Sequence, residues 1–448
     1  MCPAFLKFFS RAAVLLIATA VVAPSTAFGQ IDASTLIATP HGSFGGVAYT
    51  RHEAMFDGVT PNGRPYRVPC QIIAPNSPHA GSGLMLFDWL VPSTIPTAVG
   101  QEQADARYTL TDAFLFGRGT SYATVRCNLE GIGTRSLVSN PSRPWSDGLL
   151  NTTTEFIAAP ADEFDIVADY VKALRTDPVA RNILGHVRRT AAFGYSASGY
   201  RLRGLLRLPK GRGLFDFSLV GGTGRGFDRP TGNQIGFSNV ERAPRAGAGL
   251  EIDFQSEADG ILLDAHETRH EESNYRVYQF AGASHIRDID VTEFGLPDAS
   301  LANPADWVPF FRALFVAGDK WCDGIQPPPS IWLGAPNDPV IARDAKGNAL
   351  VRFVGGHPVN TNAFRLPEVA VGENQYIAID PSYDDGTLLG FLRVVAGGHV
   401  DLTGTFPSHA QYVGQITAHV HCLRAAGYLL QTDAQAIIQR AILSGIGN

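Results

Sequence analysis

The chain is 448 residues long, 45% apolar and 17% charged, with 47 glycines and 29 prolines. That is a globular composition rich in turns, and long enough to bury a sizeable core. A formal net charge of -6 provides no basic footprint, which argues against nucleic acid as a partner.

Residues 1–29 have the layout of a secretory signal peptide. Lys7 and Arg11 make the start basic, "AAVLLIATAVVA" follows as an apolar run, and Ala27 and Gly29 offer the small residues of a cleavage site. The run is short for a membrane span, and an uncleaved N-terminal anchor is the alternative reading. Cys2 precedes the run, so lipid attachment is not suggested. The expectation is a secreted or periplasmic chain from about Gln30, with no membrane span after signal removal. Cys70, Cys127, Cys322 and Cys422 remain, an even number that permits up to two disulfides in an oxidising compartment; four buried free thiols are the alternative. No cysteine or histidine spacing resembles a zinc site.

From Gly45 to Pro75, alternating apolar and polar residues flank the turn-rich "DGVTPNGRP" and predict an opening antiparallel strand pair. "GLMLFDWLVP" (Gly83–Pro92) and "SYATVRCNLEG" (Ser121–Gly131) read as strands buried on both faces. In "PADEFDIVADYVKALRTDP", Pro160 suits a helix entry, acids fill the first turn, and Ile166, Val167, Tyr170 and Val171 recur at helical spacing before Pro178. "RRTAAFGYS" is a short strand, followed by a helix marked by Leu202, Leu205 and Leu206. "LFDFSLVGGTG", "LEIDFQSEADG" and "NYRVYQFAGASH" continue the strands, with a Gly/Arg/Pro-rich insertion at about Thr223–Ala248 between the first two. "WVPFFRALFVAGDKW" is a further helix. This alternation predicts an α/β fold with a mostly parallel sheet flanked by helices. One domain is expected over 30–448, with a core at about 45–322 and a C-terminal extension or cap at about 323–448 that ends in two helices around Gly427 and Asp433.

The stretch "TAAFGYSASGY" (Thr190–Tyr200) carries the chemistry. A nucleophile exposed on a sharp strand-to-helix turn needs small residues two before and two after it. Gly194 and Ser198 satisfy that requirement around Ser196. A register centred on Ser198 would place the bulky Tyr200 where a small residue is needed and would move the turn into the helix. A purely structural Gly/Ser turn is the bland alternative, weakened by the apolar strand before it and the amphipathic helix after it. A serine hydroxyl needs a base, and the base needs an orienting acid. His285, in the loop after "YRVYQF", is the candidate base. His266 and His270 read as surface residues, His419 and His421 belong to the terminal helix, and His186 precedes the strand. Glu257 and Asp259 follow "LEIDFQ", and Asp259, next to Gly260, is preferred. The backbone N–H of Ala197 at the helix start is one candidate donor to an oxyanion. The second is expected from the loop after the early strand that ends near Asp88-Trp89-Leu90, with Trp89 the candidate. "HGSFGG" (His41–Gly46) resembles an oxyanion motif but lies too early in the chain.

"FGYSASGYRLRGLL" resembles the elbow of a bacterial α/β-hydrolase-domain family, often exported, whose pattern is closer to Gly-Tyr-Ser-Gln-Ser-Gly-Arg. "DGIQPPPS", "AFRLPEVAV" (Ala363–Val371) and "GYLLQTDAQAIIQRA" are similar to later segments of that family, so the likeness runs through most of the mature chain. It implies an α/β-hydrolase fold and a serine-hydrolase mechanism with its triad on Ser196, Asp259 and His285, at whose acid position the family accommodates Glu as well as Asp. The chain departs from the family at Ala197, where Gln is usual, and in "LFDWLVP", which lacks an Asn-Arg-Gly.

The expected activity is cleavage of a carboxylic ester, small-molecule or polymeric, through an acyl-enzyme, with no cofactor and no metal. The insertion after Gly222 and the C-terminal part are expected to shape the pockets. Amide or peptide hydrolysis by the same triad, and a non-catalytic binding protein on the same fold, are the rivals.

Overall fold

Side chains alternate between the faces of each buried strand, and this alternation sorts the apolar residues into two cores. The computed structural model describes residues 29–92, 102–103, 105–126, 162–223, 249–262, 265–293, 296, 298–336, 338–361, 363–386 and 388–448. Among them, thirteen strands form one sheet. They are β1 (Gln30–Ile31), β2 (Ile37–Phe44), β3 (Val47–Val59), β4 (Pro65–Pro75), β5 (Leu84–Asp88), β6 (Ser121–Val125) and β7 (Arg189–Tyr195). The second half consists of β8 (Phe217–Gly221), β9 (Leu250–Ser256), β10 (Tyr275–Phe280), β11 (Ile331–Trp332), β12 (Val351–Val354) and β13 (His357–Thr361). The order is β1-β3-β4-β6-β5-β7-β8-β9-β10-β11-β12-β13, with β2 paired to β3.

The centre, from β6 to β11, is parallel, and antiparallel strands close both edges. Along β5, Leu84 and Leu86 enter one core while Met85 and Phe87 enter the other; along β7, Phe193 and Ala192 divide in the same way. The helix α1 (Glu163–Thr176) covers the second core with Ile166, Val167, Tyr170 and Val171, the residues its spacing singled out. α2 (Pro178–Leu184) follows at once, its first amides capped by the carboxylate of Asp177. α3 (Ala197–Arg207) packs Leu202, Leu205 and Leu206 on the same face.

The opposite face is covered by α5 (Val308–Trp321), which lies beyond the short α4 (Glu257–Leu262) in the chain. The C-terminal extension shares that core rather than forming a separate one. It contains α6 (Pro367–Val371), α7 (Leu388–Val395), α8 (His409–Ala425) and α9 (Gln431–Leu443). Tyr412, Ile416, Val420 and Leu423 of α8, with Tyr428, join Phe310, Phe311 and Tyr278 in one cluster. Among the described residues, no helix is long and apolar enough to cross a membrane.

Of the two readings of the cysteines, the structure agrees with free thiols, though not all of them are buried. Cys70, Cys322 and Cys422 are free thiols, so the two-bridge arrangement that the even count allowed does not form. Cys70 is enclosed on β4, and desolvation pushes its thiol up to about 12, whereas Cys422 is exposed on α8. Cys127 lies outside the described residues, as do the expected leader up to residue 28 and the insertion beyond Thr223.

A cavity of about 280 Å³ opens between α6, α8 and α9, lined by Glu368, Glu373, Asp306 and Arg440. Burial, and then the neighbouring charge of Glu373, hold the Glu368 carboxyl up to about 7, against an ordinary 4.5. The folded chain therefore holds a proton there that the unfolded chain releases. The resulting stabilisation is complete below about 4.5 and is lost as pH rises through about 7. Across that interval, the melting temperature of the wild type is expected to fall relative to Glu368→Gln; parallel slopes in thermal melts would contradict the assignment.

Candidate active site

Three strands of the parallel sheet, β7, β9 and β10, end at the same edge, and each delivers one polar side chain there. β7 gives way to α3 through a single residue, Ser196, with φ 54° and ψ -123°. A non-glycine residue in such a conformation costs about 1–3 kcal/mol and persists only where its surroundings fix it. Those surroundings are tight. A Cβ on Gly194 would stand 2.8 Å from the Ser198 carbonyl oxygen, and one on Gly199 would stand 2.6 Å from the Gly221 carbonyl oxygen. The Ser196 N–H donates to that same Gly221 oxygen at 2.9 Å.

The two serines have different environments. Ser198 is fully buried; its Oγ accepts from the Tyr195 N–H at 2.9 Å and donates to the Tyr195 carbonyl at 3.0 Å. It fastens the turn and faces no open space. Ser196 is half-buried, and its Oγ lies 3.0 Å from His285 Nε2.

His285 Nδ1 in turn lies 2.6 Å from Oδ1 of Asp259, whose side chain is wholly buried. A reciprocal cap at the start of α4 holds that carboxylate. Asp259 Oδ2 accepts the Ser256 N–H at 2.6 Å, while Ser256 Oγ accepts the Asp259 N–H at 3.1 Å. Of the two acids that follow β9, then, Asp259 faces the imidazole. Glu257 points elsewhere, accepting the Gly282 N–H at 2.7 Å and pairing with Arg343 at 2.5 Å. Burial raises its carboxyl above the ordinary range, a shift opposed by Arg343. The Ser256-x-x-Asp259 spacing of a capping box stands in the sequence and singles out Asp259 more sharply than the neighbouring Gly260 does.

The loop carrying His285 is held mainly by residues that local patterning gave no reason to choose. The His285 and Ile286 amides both donate to the Val395 carbonyl, at 3.0 and 3.3 Å. Buried Asn303 donates from Nδ2 to the Gly282 carbonyl at 2.7 Å and to the Ile377 carbonyl at 3.2 Å. The hydroxyl of Tyr195 donates to the His285 carbonyl.

Ala197 is the first residue of α3, where amides have no intrahelical partner. Trp89 must be withdrawn as a donor. Its N–H bonds to the Phe193 carbonyl at 3.0 Å, extending the β5–β7 ladder one residue past the strand end. His266 and His270 are half-buried, and His270, its side chain 26% exposed, stacks on Tyr275 at 4.5 Å. The "HGSFGG" segment forms the β2–β3 hairpin, and His41 in it is engaged by Asp112 at 3.0 Å. Among the described residues, no group of three or more His, Cys, Asp or Glu is placed to hold a metal ion.

Solved structures with partial likeness include a Klebsiella pneumoniae protein provisionally described as a dienelactone hydrolase. It is 10% identical over 60% of this chain and 98% of that one, at a TM-score of 0.33. Prolyl oligopeptidase B from Galerina marginata is 12% identical over 51% of this chain and 35% of its own, at 0.26. A PNB esterase is 17% identical over 34% and 28%, at 0.20. This chain thus spans only 35% of the oligopeptidase and 28% of the esterase, and likenesses of this size say nothing about activity. No curated protein matches the chain. A family model for the alpha/beta hydrolase domain, by contrast, matches residues 46–439, from the turn between β2 and β3 to the last helix. On that match, which agrees with the parallel sheet and its elbow after β7, the chain belongs to the alpha/beta hydrolase domain family.

Proposed function

We propose that this chain is an exported serine hydrolase that cleaves a carboxylic ester, small-molecule or polymeric. The observation that supports it most is the unbroken hydrogen-bond relay from the strained, half-buried Ser196 through His285 to buried Asp259. Export rests on the leader pattern of residues 1–29.

In this reading, Ser196 Oγ attacks the ester carbonyl carbon while His285 Nε2 takes the hydroxyl proton. As the Oγ–C bond forms, the carbonyl π pair moves onto oxygen, and the Ala197 N–H donates to the resulting oxyanion. The negative charge of Asp259 holds the imidazole in the tautomer that leaves Nε2 free to accept, and it balances the imidazolium once formed. When the tetrahedral adduct collapses, the C–O bond to the alcohol breaks and His285 returns the proton to the departing oxygen. Water then repeats the sequence on the acyl-enzyme. His285 takes a proton from water, the new oxygen bonds to the acyl carbon, and Ser196 leaves with its proton restored. Every proton removed is given back, so neither cofactor nor metal is called for.

The first test is labelling of the purified protein with a fluorophosphonate and mapping of the modified peptide. Modification is expected at Ser196, and Ser196→Ala should lower kcat on a chromogenic ester by about 10⁶-fold. Ser198→Ala should still label while losing about 1–2 kcal/mol of stability. Modification at Ser198, or at no serine, would sink the proposal, the second result favouring a binding protein on this fold.

The two acids give a separate prediction. Asp259→Asn is expected to cost about 10⁴-fold in kcat/KM, because the amide favours the wrong imidazole tautomer. Glu257→Gln, which retains an acceptor for Gly282, should cost far less; the reverse order would reassign the acid. Matched ester and amide substrates distinguish ester cleavage from peptidase activity, with the ester expected to turn over faster.

A further inference from the structure

The side chain just before Ser196 is placed by the pleat. Residues 193 and 195 of β7 share a face, and on that face Phe193 and Tyr195 both lie over Phe254, at 6.3 and 5.5 Å. Tyr195 also stacks on Trp307 at 5.6 Å and 30°. The ring also meets the candidate base: the phenol and the His285 imidazole are stacked, with centroids 5.1 Å apart and planes 23° apart. The backbone leaves room for this ring pair. Gly222, at φ +60°, lies so close that a Cβ there would stand 2.8 Å from Tyr195 Cε2 and 2.9 Å from His285 Cε1.

From this stack we propose that Tyr195 is a positioning residue for His285, and that its ring face stabilises the imidazolium that forms only after the Ser196 proton has moved. The inference rests on the serine-hydrolase reading above. Two contacts divide the work. The hydroxyl holds the loop through the His285 carbonyl, a task shared with the Val395 carbonyl, which receives the His285 amide. The ring fixes the plane of the imidazole, so that Nε2 stays aimed at Ser196 Oγ and Nδ1 at Asp259. A neutral imidazole stacked on a phenol gains little beyond dispersion, whereas a cationic one is attracted to the negative face of the ring. Tyr195 therefore stabilises the charged histidine more than the resting one. An interaction of that kind lowers the barrier and leaves substrate binding alone, so its loss should appear in kcat and not in KM.

The test uses the full-length purified chain, a p-nitrophenyl ester, and fluorophosphonate labelling at Ser196. Tyr195→Phe keeps the ring and should lose no more than about threefold in kcat, the worth of one shared hydrogen bond. Tyr195→Leu removes the ring and should lose about tenfold or more, with KM within about twofold and labelling slowed in parallel. The decisive pair places phenylalanine or pentafluorophenylalanine at position 195, two rings of nearly equal shape but opposite quadrupole. The fluorinated ring is expected to lower kcat by about tenfold at unchanged melting temperature. Equal kcat in this pair overturns the proposal even if Tyr195→Leu does not fold, as does a loss in Tyr195→Leu that follows KM or melting temperature instead of kcat. A wild-type protein that fails to label at Ser196 removes the hydrolase reading and this inference together. A wild type that labels normally, with an indifferent fluorinated variant, removes only the role of Tyr195.

Discussion

The site depends on one constraint, a strand and a helix that must meet through a single residue. β7 and α3 approach so closely at Ser196 that a side chain on Gly194 or Gly199 would strike backbone, and the linking residue is forced to positive φ. An L-residue resists that conformation, so the turn needs independent fastening. Ser198 supplies it by hydrogen-bonding both the N–H and the carbonyl of Tyr195, and the Gly221 carbonyl on β8 supplies it by receiving the Ser196 amide. The strain lifts one hydroxyl clear of the sheet edge and sets the first amides of a helix beside it. A relaxed turn would do neither.

The partners of that hydroxyl come from loops, and loops position side chains only as well as they are tied down. The acid is secured locally, by the Ser256–Asp259 cap at the start of α4. The histidine loop is secured mainly from a distance. Glu257 grips Gly282 from one side, and Arg343 of the C-terminal extension grips Glu257. Asn303 ties Gly282 to Ile377, and Val395 receives the His285 amide. What reads along the chain as an appendix is, in space, the outer wall of the histidine loop.

This division accounts for what the sequence discloses. β5, β7, β8, β9 and β10 are legible because strands buried on both faces are compact apolar runs, and α1 and α3 because their leucines, valines and isoleucines recur at helical spacing. The preference for Ser196 over Ser198 follows from sterics alone, and that for Asp259 over Glu257 from its neighbour Gly260, while the Ser256–Asp259 cap is a local pattern that the reading left unused. Trp89 is misjudged because the register of β7, not the sequence of β5, decides where the ladder stops. Tyr195, Gly222, Asn303 and Val395 carry no local signal, since each matters only through a neighbour far away in the chain. The free thiols are a similar case: an even number of cysteines says nothing about whether any two of them meet.

The bond from the His285 amide to Val395 also bears on biosynthesis. A ribosome releases the serine first, the acid next and the histidine soon after, but the carbonyl that holds the histidine loop emerges more than a hundred residues later. A nascent chain that has already built β7 to β10 therefore has all three polar groups in hand without the support that aligns them. The loop that carries His285 is thus completed late in synthesis, by a residue of α7 that follows it by more than a hundred positions.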